Sequence, residues 1–275
     1  MKKLQNNFMT FMLTLSFVIC LIPLLLIIAY LLKSGFSSIN LAFFINNPKP
    51  FGEEGGGMLN AITGTLMTVG LASAIGIPFG LFSGIFLVEY RDHRLAGLIR
   101  LLTEVLQGLP SIVVGIVAYA AIVLKTGHYS AYAGGLALAI MMFPIVTRST
   151  EEVLLLVPPT LKEAALALGA PRWRTTFSIL LRTALGGIVG GILSSMARVA
   201  GETAPLLFTA FGNRFFSVNF MKPVSTMTLQ IYDYARTPYE SLHQQAWAAA
   251  IVLVFFVFAN SLLAKYLAKR LSGRR

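Results

Sequence analysis

The stretch GGGMLNAITGTLMTVGLASAIGIPFGLFSGIFLV, Gly55–Val88, contains no Asp, Glu, Lys or Arg. A helix needs about 20 apolar residues to cross the hydrocarbon of a bilayer, and this run exceeds that length. Four more uncharged runs flank it: Leu4–Leu32, Val105–Leu124, Thr126–Thr147 and Ser241–Ala264. Charged residues make up only 12% of the chain and hydrophobic ones 56%, with a mean hydropathy of +0.75. Soluble domains carry roughly 25% charge. A chain this poor in charge cannot cover its surface in water, so the reading is an all-α polytopic membrane protein.

Six helices are expected, at about Phe11–Leu32, Ala61–Val88, Val105–Leu124, Tyr132–Thr147, Ala184–Phe211 and Ala246–Tyr266. The fifth contains two charges and is identified by its flanks and length. Alternate loops differ in basic content. Lys33, Lys49, Lys125, Arg214, Lys222 and Arg236 fall on one side, Arg198 falls within a span, and every other Lys and Arg falls on the opposite side. The positive-inside bias places both termini in the cytoplasm. Lys2 and Lys3 precede an apolar run too long for a cleavable leader, so the first segment reads as a retained span. The organisation expected is residues 1–54 (tail, first helix and external loop), 55–266 (core of helices two to six with an inside connection at about 148–183) and 267–275 (basic cytoplasmic tail).

The net charge of +11 is spread among hydrophobic runs rather than gathered with surface aromatics, which excludes a nucleic-acid interface. Its partner is the lipid bilayer. The single cysteine, Cys20, lies inside the first apolar run and reads as a packing residue. No GxxxxGK[ST] loop is present, so the chain has no Walker cradle for ATP phosphates. His93, His128 and His243 are isolated and lack metal-ligand spacing. Ser111 has no evident base. No catalytic residue, metal site or bound cofactor is expected.

Small residues mark close helix contacts. Gly76, Gly80 and Gly84 recur every four residues on the second span, and Gly186/Gly190 and Gly187/Gly191 do so on the fifth. Such stripes let helix backbones approach each other. Pro78 and Pro144 should kink their spans, in pore lining or in packing. The loop Lys33–Asn60 carries turn signals, and Gly212–Gln245 is a second external connection. The inside connection Arg148–Thr183 holds short helices broken at Pro158-Pro159 and at Gly169-Ala170-Pro171.

Within that connection, Glu163-Ala164-Ala165-Leu166-Ala167-Leu168-Gly169 leads to Ile179-Leu180-Leu181. An Ala/Leu-rich short helix can seat in a partner's groove, and glycine permits a sharp turn after it. The pattern resembles the EAA loop of ABC-transporter permeases, departing from it where Arg182 replaces the usual Pro. Gly64-Thr65-Leu66, the segment Gln107–Gly115 (QGLPSIVVG) and the segment Arg198–Leu207 (RVAGETAPLL) resemble the permeases of phosphate-specific ABC transport systems, within the phosphate, sulfate and molybdate permease class. The resemblance runs from about Gly55 to Tyr266.

That resemblance implies an ABC importer type I permease architecture, six transmembrane helices with a cytoplasmic coupling helix between the fourth and fifth, in a bacterial inner membrane. It implies a homologous second permease subunit, an ATPase subunit dimer that hydrolyses ATP, and an extracytoplasmic phosphate-binding protein. Glu163, Ala164, Ala165 and Gly169 would form the ATPase-coupling loop. Sulfate and molybdate carriers are the nearest rivals. An ATP-independent secondary transporter or a sensor is further off.

Arg198 and Glu202 are the charges placed inside a span. A charge at mid-bilayer costs about 2.5–3.5 kcal/mol on insertion scales. Spacing i, i+4 would put both side chains on one face, close enough to pair. They read either as a neutralised packing pair or as the lining of the substrate pathway, where a guanidinium can bond two oxygens of an oxyanion.

Overall fold

A computed structural model describes residues 2–50, 53 and 55–272. The described residues are helical, apart from loops and one isolated bridge between Phe211 and Val224. The elements are α1 Lys2–Gly35, α2 Leu41–Ile45, α3 Leu59–Glu89, α4 Arg94–Gly108, α5 Ser111–Thr126, α6 Ala131–Leu155, α7 Pro159–Ala167, α8 Arg172–Ala200, α9 Ala204–Thr209, α10 Met227–Ala235 and α11 Glu240–Ser272. Five of these are long and apolar enough to cross a membrane, and α4 with α5, counted as one broken span, makes six.

The third span is not the single helix Val105–Leu124. Its two halves, α4 and α5, meet at 107°. The sequence between them is Leu109-Pro110. Proline has no N–H to continue the ladder and drives the residue before it out of the helical region. Leu109 accordingly takes φ −74°, ψ 135°.

The fourth span extends past Thr147 to Leu155, so the inside connection is shorter than Arg148–Thr183. The fifth begins earlier, at Arg172, and runs unbroken to Ala200. A π-helical turn at Thr176–Leu180 lies within it. Arg182 keeps the N–H that proline would lack, so the chain returns to the membrane without a break. This helix stops before Phe211. Gly201 caps it, Glu202 N–H donates to Val199 O, and Pro205 restarts the chain as the separate α9. The sixth span also exceeds its expected bounds at both ends. Helix α10, inside the connection Gly212–Gln245, has no counterpart among the helices expected from the sequence.

Helices α3 and α6 form the centre. A Cβ on Gly76 would stand 3.0 Å from Met142 Cβ, on Gly80 2.7 Å from Val146 Cβ, and on Gly84 2.6 Å from Thr150 Cβ. The glycine stripe is therefore the contact surface between these two helices. On α8 the contact with α6 uses one stripe of the two. Gly187 and Gly191 meet Val153 and Ser149, whereas Gly190 faces open space. Gly186 is buried on another side of α8. Both α3 and α6 continue through their prolines, Pro78 and Pro144, as unbroken segments.

The principal core joins Leu138, Met142 and Val146 of α6 to Val69 and Ala72 of α3, Val199 of α8, Leu206 of α9 and Leu229 of α10. Helix α1 differs from the rest. Its most apolar stretch is wholly unburied, and it joins the bundle near its second end, where Tyr30 meets Trp247 edge-to-face at 5.2 Å and Gly35 abuts the backbone of Trp247 and Ala248.

Candidate functional site

Two assemblies stand out on this scaffold, one at the turn after α7 and one in a cleft beside α6. Helix α7 opens on Pro159 at its first position, where a missing N–H costs nothing. It closes on Gly169 at φ +80°. Ala170 N–H donates to Ala165 O at 3.1 Å and Gly169 N–H to Leu166 O at 3.0 Å. This six-to-one and five-to-two pair is the Schellman closure, which needs the left-handed residue that glycine supplies. Ala165 faces inward, while Glu163 and Ala164 are exposed.

Around the turn lie large apolar side chains in the open. Leu168 is 89% exposed, Leu156 82% and Trp173 67%. The helix beneath is held in place: Lys162 Nζ lies 2.8 Å from Glu89 Oε2 at the end of α3. Helix α7 is thus tied to α3 while its outer face, with Glu163 and Ala164, stays exposed.

The second assembly is a cleft of about 330 Å³ lined by Gln107 and Leu109 at the α4–α5 elbow, by Pro144, Arg148 and Glu152 of α6, and by Arg198 of α8. Arg148 Nε bonds Glu152 Oε1 at 2.8 Å, and its Nη1 lies 3.8 Å from Glu151 Oε2. Buried Glu151 takes the Arg100 guanidinium at 3.0 Å, and Arg100 also donates to Leu87 O at 3.2 Å. These bonds tie α4 to α3 and α6, and Gln107 Nε2 adds a bond to Pro144 O at 3.1 Å. One wall of the cleft is therefore rigid.

Arg198 is exposed and, among the described residues, makes no ion pair with Glu202. The helix ends at Ala200, so Glu202 does not continue the face that carries Arg198. Its backbone carbonyl accepts from Thr228 Oγ1 at 2.8 Å instead, which fastens the α8–α9 junction to α10. The expected i, i+4 pair does not form, and a neutralised packing pair is excluded with it. The structure brings Arg198 together with Arg148, Glu152 and Gln107, three residues that sequence spacing does not join to it. Gln107 stands in one of the motifs singled out above. Arg148 and Glu152 escape notice when the fourth span is ended at Thr147.

An exposed turn thus stands at one end of a broken-helix bundle that also holds a guanidinium-lined cleft. The family of binding-protein-dependent transport system inner membrane components matches residues 76–273. The chain belongs to that family. This permease is 38% identical over 265 residues to the phosphate transport system permease protein PstA of Haemophilus influenzae, covering 96% of this chain and 94% of that one. It is 42% identical over 243 residues to the PstA of Xylella fastidiosa (87% and 84% covered), and 34% over 271 residues to PstA 1 of Mycobacterium tuberculosis (96% and 88%).

Among solved structures, the permease resembles a chain of the methionine ABC transporter MetNI at a TM-score of 0.66 and 18% identity, covering 78% of this chain and 95% of that one. It resembles a chain of a bacterial alginate ABC transporter at 0.67 and 15%, covering 98% and 97%. These likenesses carry the fold alone: an all-helical one shared with chains of ABC transporters. The relatives are transport permeases rather than enzymes.

Proposed function

We propose that this permease is one half of the pathway of an ATP-driven importer of inorganic phosphate, paired with a homologous PstC-like permease. The observation that carries the reading is the cleft. Two guanidinium groups, Arg148 and Arg198, line it together, and the second has no carboxylate bound to it among the described residues. A planar guanidinium can bond two oxygens of an oxyanion, and conduction requires that such binding be weak enough for release. Glu152, already on Arg148, tempers the positive potential on that side. The names of the curated relatives support phosphate among the oxyanions.

In this reading a PstB-like ATPase dimer hydrolyses ATP and seats on the turn formed by Glu163, Ala164, Ala165 and Gly169, and a PstS-like binding protein delivers phosphate from outside. Both termini are cytoplasmic in a bacterial inner membrane. Surface labelling checks the orientation: in intact cells an impermeant thiol reagent should reach Glu53→Cys and not Glu163→Cys.

Arg198→Gln tests the pathway. It should abolish phosphate uptake at matched membrane abundance while the ATPase still co-purifies. Because Arg198 and Glu202 are unpaired, Arg198→Glu with Glu202→Arg should not restore transport. Normal uptake in either variant would sink the pathway role, and preferential competition by sulfate or molybdate would change the substrate.

A further inference from the structure

The segment from Phe211 to Val224 leaves and rejoins the bundle at one point. A bridge pairs its two end residues, and Asn213 Nδ2 donates to Pro223 O at 3.1 Å. This is the geometry of an Ω-loop. Three short-range bonds fix its backbone from within. Phe215 N–H donates to Asn213 Oδ1 at 3.0 Å, Asn219 N–H to Ser217 Oγ at 3.3 Å, and Met221 N–H to Asn219 Oδ1 at 2.9 Å.

Those turns leave the apolar side chains outside. Phe215 is 82% exposed, Val218 63% and Met221 55%, with Phe216 and Phe220 beside them. The height of the loop is fixed as well. Ala131 N–H donates to Lys222 O at 3.0 Å and Tyr132 N–H to Phe220 O at 2.8 Å. Ala131 is the first residue of α6, so the loop lies at the level where that span enters the bilayer, whichever side of the membrane that is.

Three environments can be compared. Water disfavours so much exposed apolar surface. The hydrocarbon core excludes an irregular backbone with open carbonyls. The interfacial layer accepts both, and favours aromatic and basic residues. Charge agrees on one side: Lys222 flanks the apolar tip, while Arg214 on the other side shares a pocket with Asp233 of α10. We propose that the loop 213–223 is an interfacial lipid anchor, with Phe215, Val218 and Met221 among the headgroups and upper acyl chains and Lys222 beside lipid phosphates. It would hold the adjoining ends of α9 and α10 at constant depth while the rest of the bundle moves.

The test uses the full importer in vesicles of phosphatidylethanolamine and phosphatidylglycerol. In a Cys20→Ser background, a nitroxide is attached at Val218→Cys, and in a separate sample at His128→Cys, an exposed loop position at the same end of α6. At 218, collisions with oxygen should exceed those with a water-soluble nickel chelate, and at 128 the order should reverse. Nickel dominance at 218 would overturn the proposal in favour of water. Loss of both collision rates, with or without added phosphate-binding protein, would overturn it in favour of a protein partner. A second sample carries Val218→Asp with the label at Met221→Cys. It should shift 221 toward nickel, and no shift there would also count against insertion.

Discussion

Lys162 Nζ stands 2.8 Å from Glu89 Oε2, so α7 is ion-paired to the last residue of α3, one of the two helices that form the centre of the bundle. The Glu89 side chain is only 10% exposed, and its other carboxylate oxygen has no hydrogen-bond partner. Removing the ammonium leaves a nearly buried carboxylate uncompensated. Lys162→Met should therefore cost about 1–3 kcal/mol, and Glu89→Gln in the same chain should recover most of it. Thermal unfolding in detergent of the two single variants and the double variant measures this coupling. Additive losses would mean that the pair contributes nothing.

The turn at Gly169 makes a separate claim. A left-handed residue with a Cβ costs about 1–2 kcal/mol, while nothing within 4 Å obstructs the Cβ itself. Gly169→Ala should thus weaken ATPase co-purification through backbone strain alone. Gly169→Asn should do so less, because Asn tolerates this region better. Equal loss in both variants would point to steric docking at that position instead.

The glycine stripe on α3 should behave quite differently from exposed glycines. Gly80→Ala places a methyl 2.7 Å from Val146 Cβ and should cost about 1–3 kcal/mol by overpacking. Gly70→Ala and Gly190→Ala meet nothing within 4 Å and should leave the melting temperature unchanged or slightly raised. A destabilised Gly190→Ala would show that this side of α8 is covered in the assembled importer.

Asp233 on α10 supplies a pH dependence. Burial raises its carboxyl above the ordinary value of 3.8, while the neighbouring charges of Arg236 and Arg214 act to lower it. A carboxyl raised in the fold binds its proton more tightly there than in the unfolded chain. Stability is thus lost as pH rises from 3.8 through the raised value. Asp233→Asn should therefore raise the melting temperature at pH 7, and the gain should vanish below the unfolded carboxylate range. A gain that persists at low pH would trace to packing.

Membrane class, six spans and the sharp turn at Gly169 are legible in the sequence because they rest on charge-free length and on a short glycine-bearing motif. What the sequence hides rests on backbone detail. Pro110 announces a break, but uncharged Val105–Leu124 reads as continuous whenever hydropathy alone is followed. Arg148, Glu151 and Glu152 look like the end of a span because they are charged, and they are helical because Arg100 and one another satisfy them. The Arg198–Glu202 pair fails at Gly201, a residue that a helical stripe tolerates and a helix end prefers. Helix α10 is invisible, since nine residues in a loop carry no span-length signal.

The interlocked glycines have a mechanical consequence. Gly76, Gly80 and Gly84 bind α3 to α6, and Gly187 and Gly191 bind α8 to α6, while Arg100 and Lys162 fasten α4 and α7 to the same group. Close-packed helices at such separations cannot slide without colliding, so these elements form one stiff lever. If an ATPase seats on α7 as proposed, a stroke applied there would tilt these elements together, carrying Arg148 and Arg198 through the same arc. Spin-label distances from α3 to α6 should then stay constant through the nucleotide cycle, while those from either helix to the partner permease change.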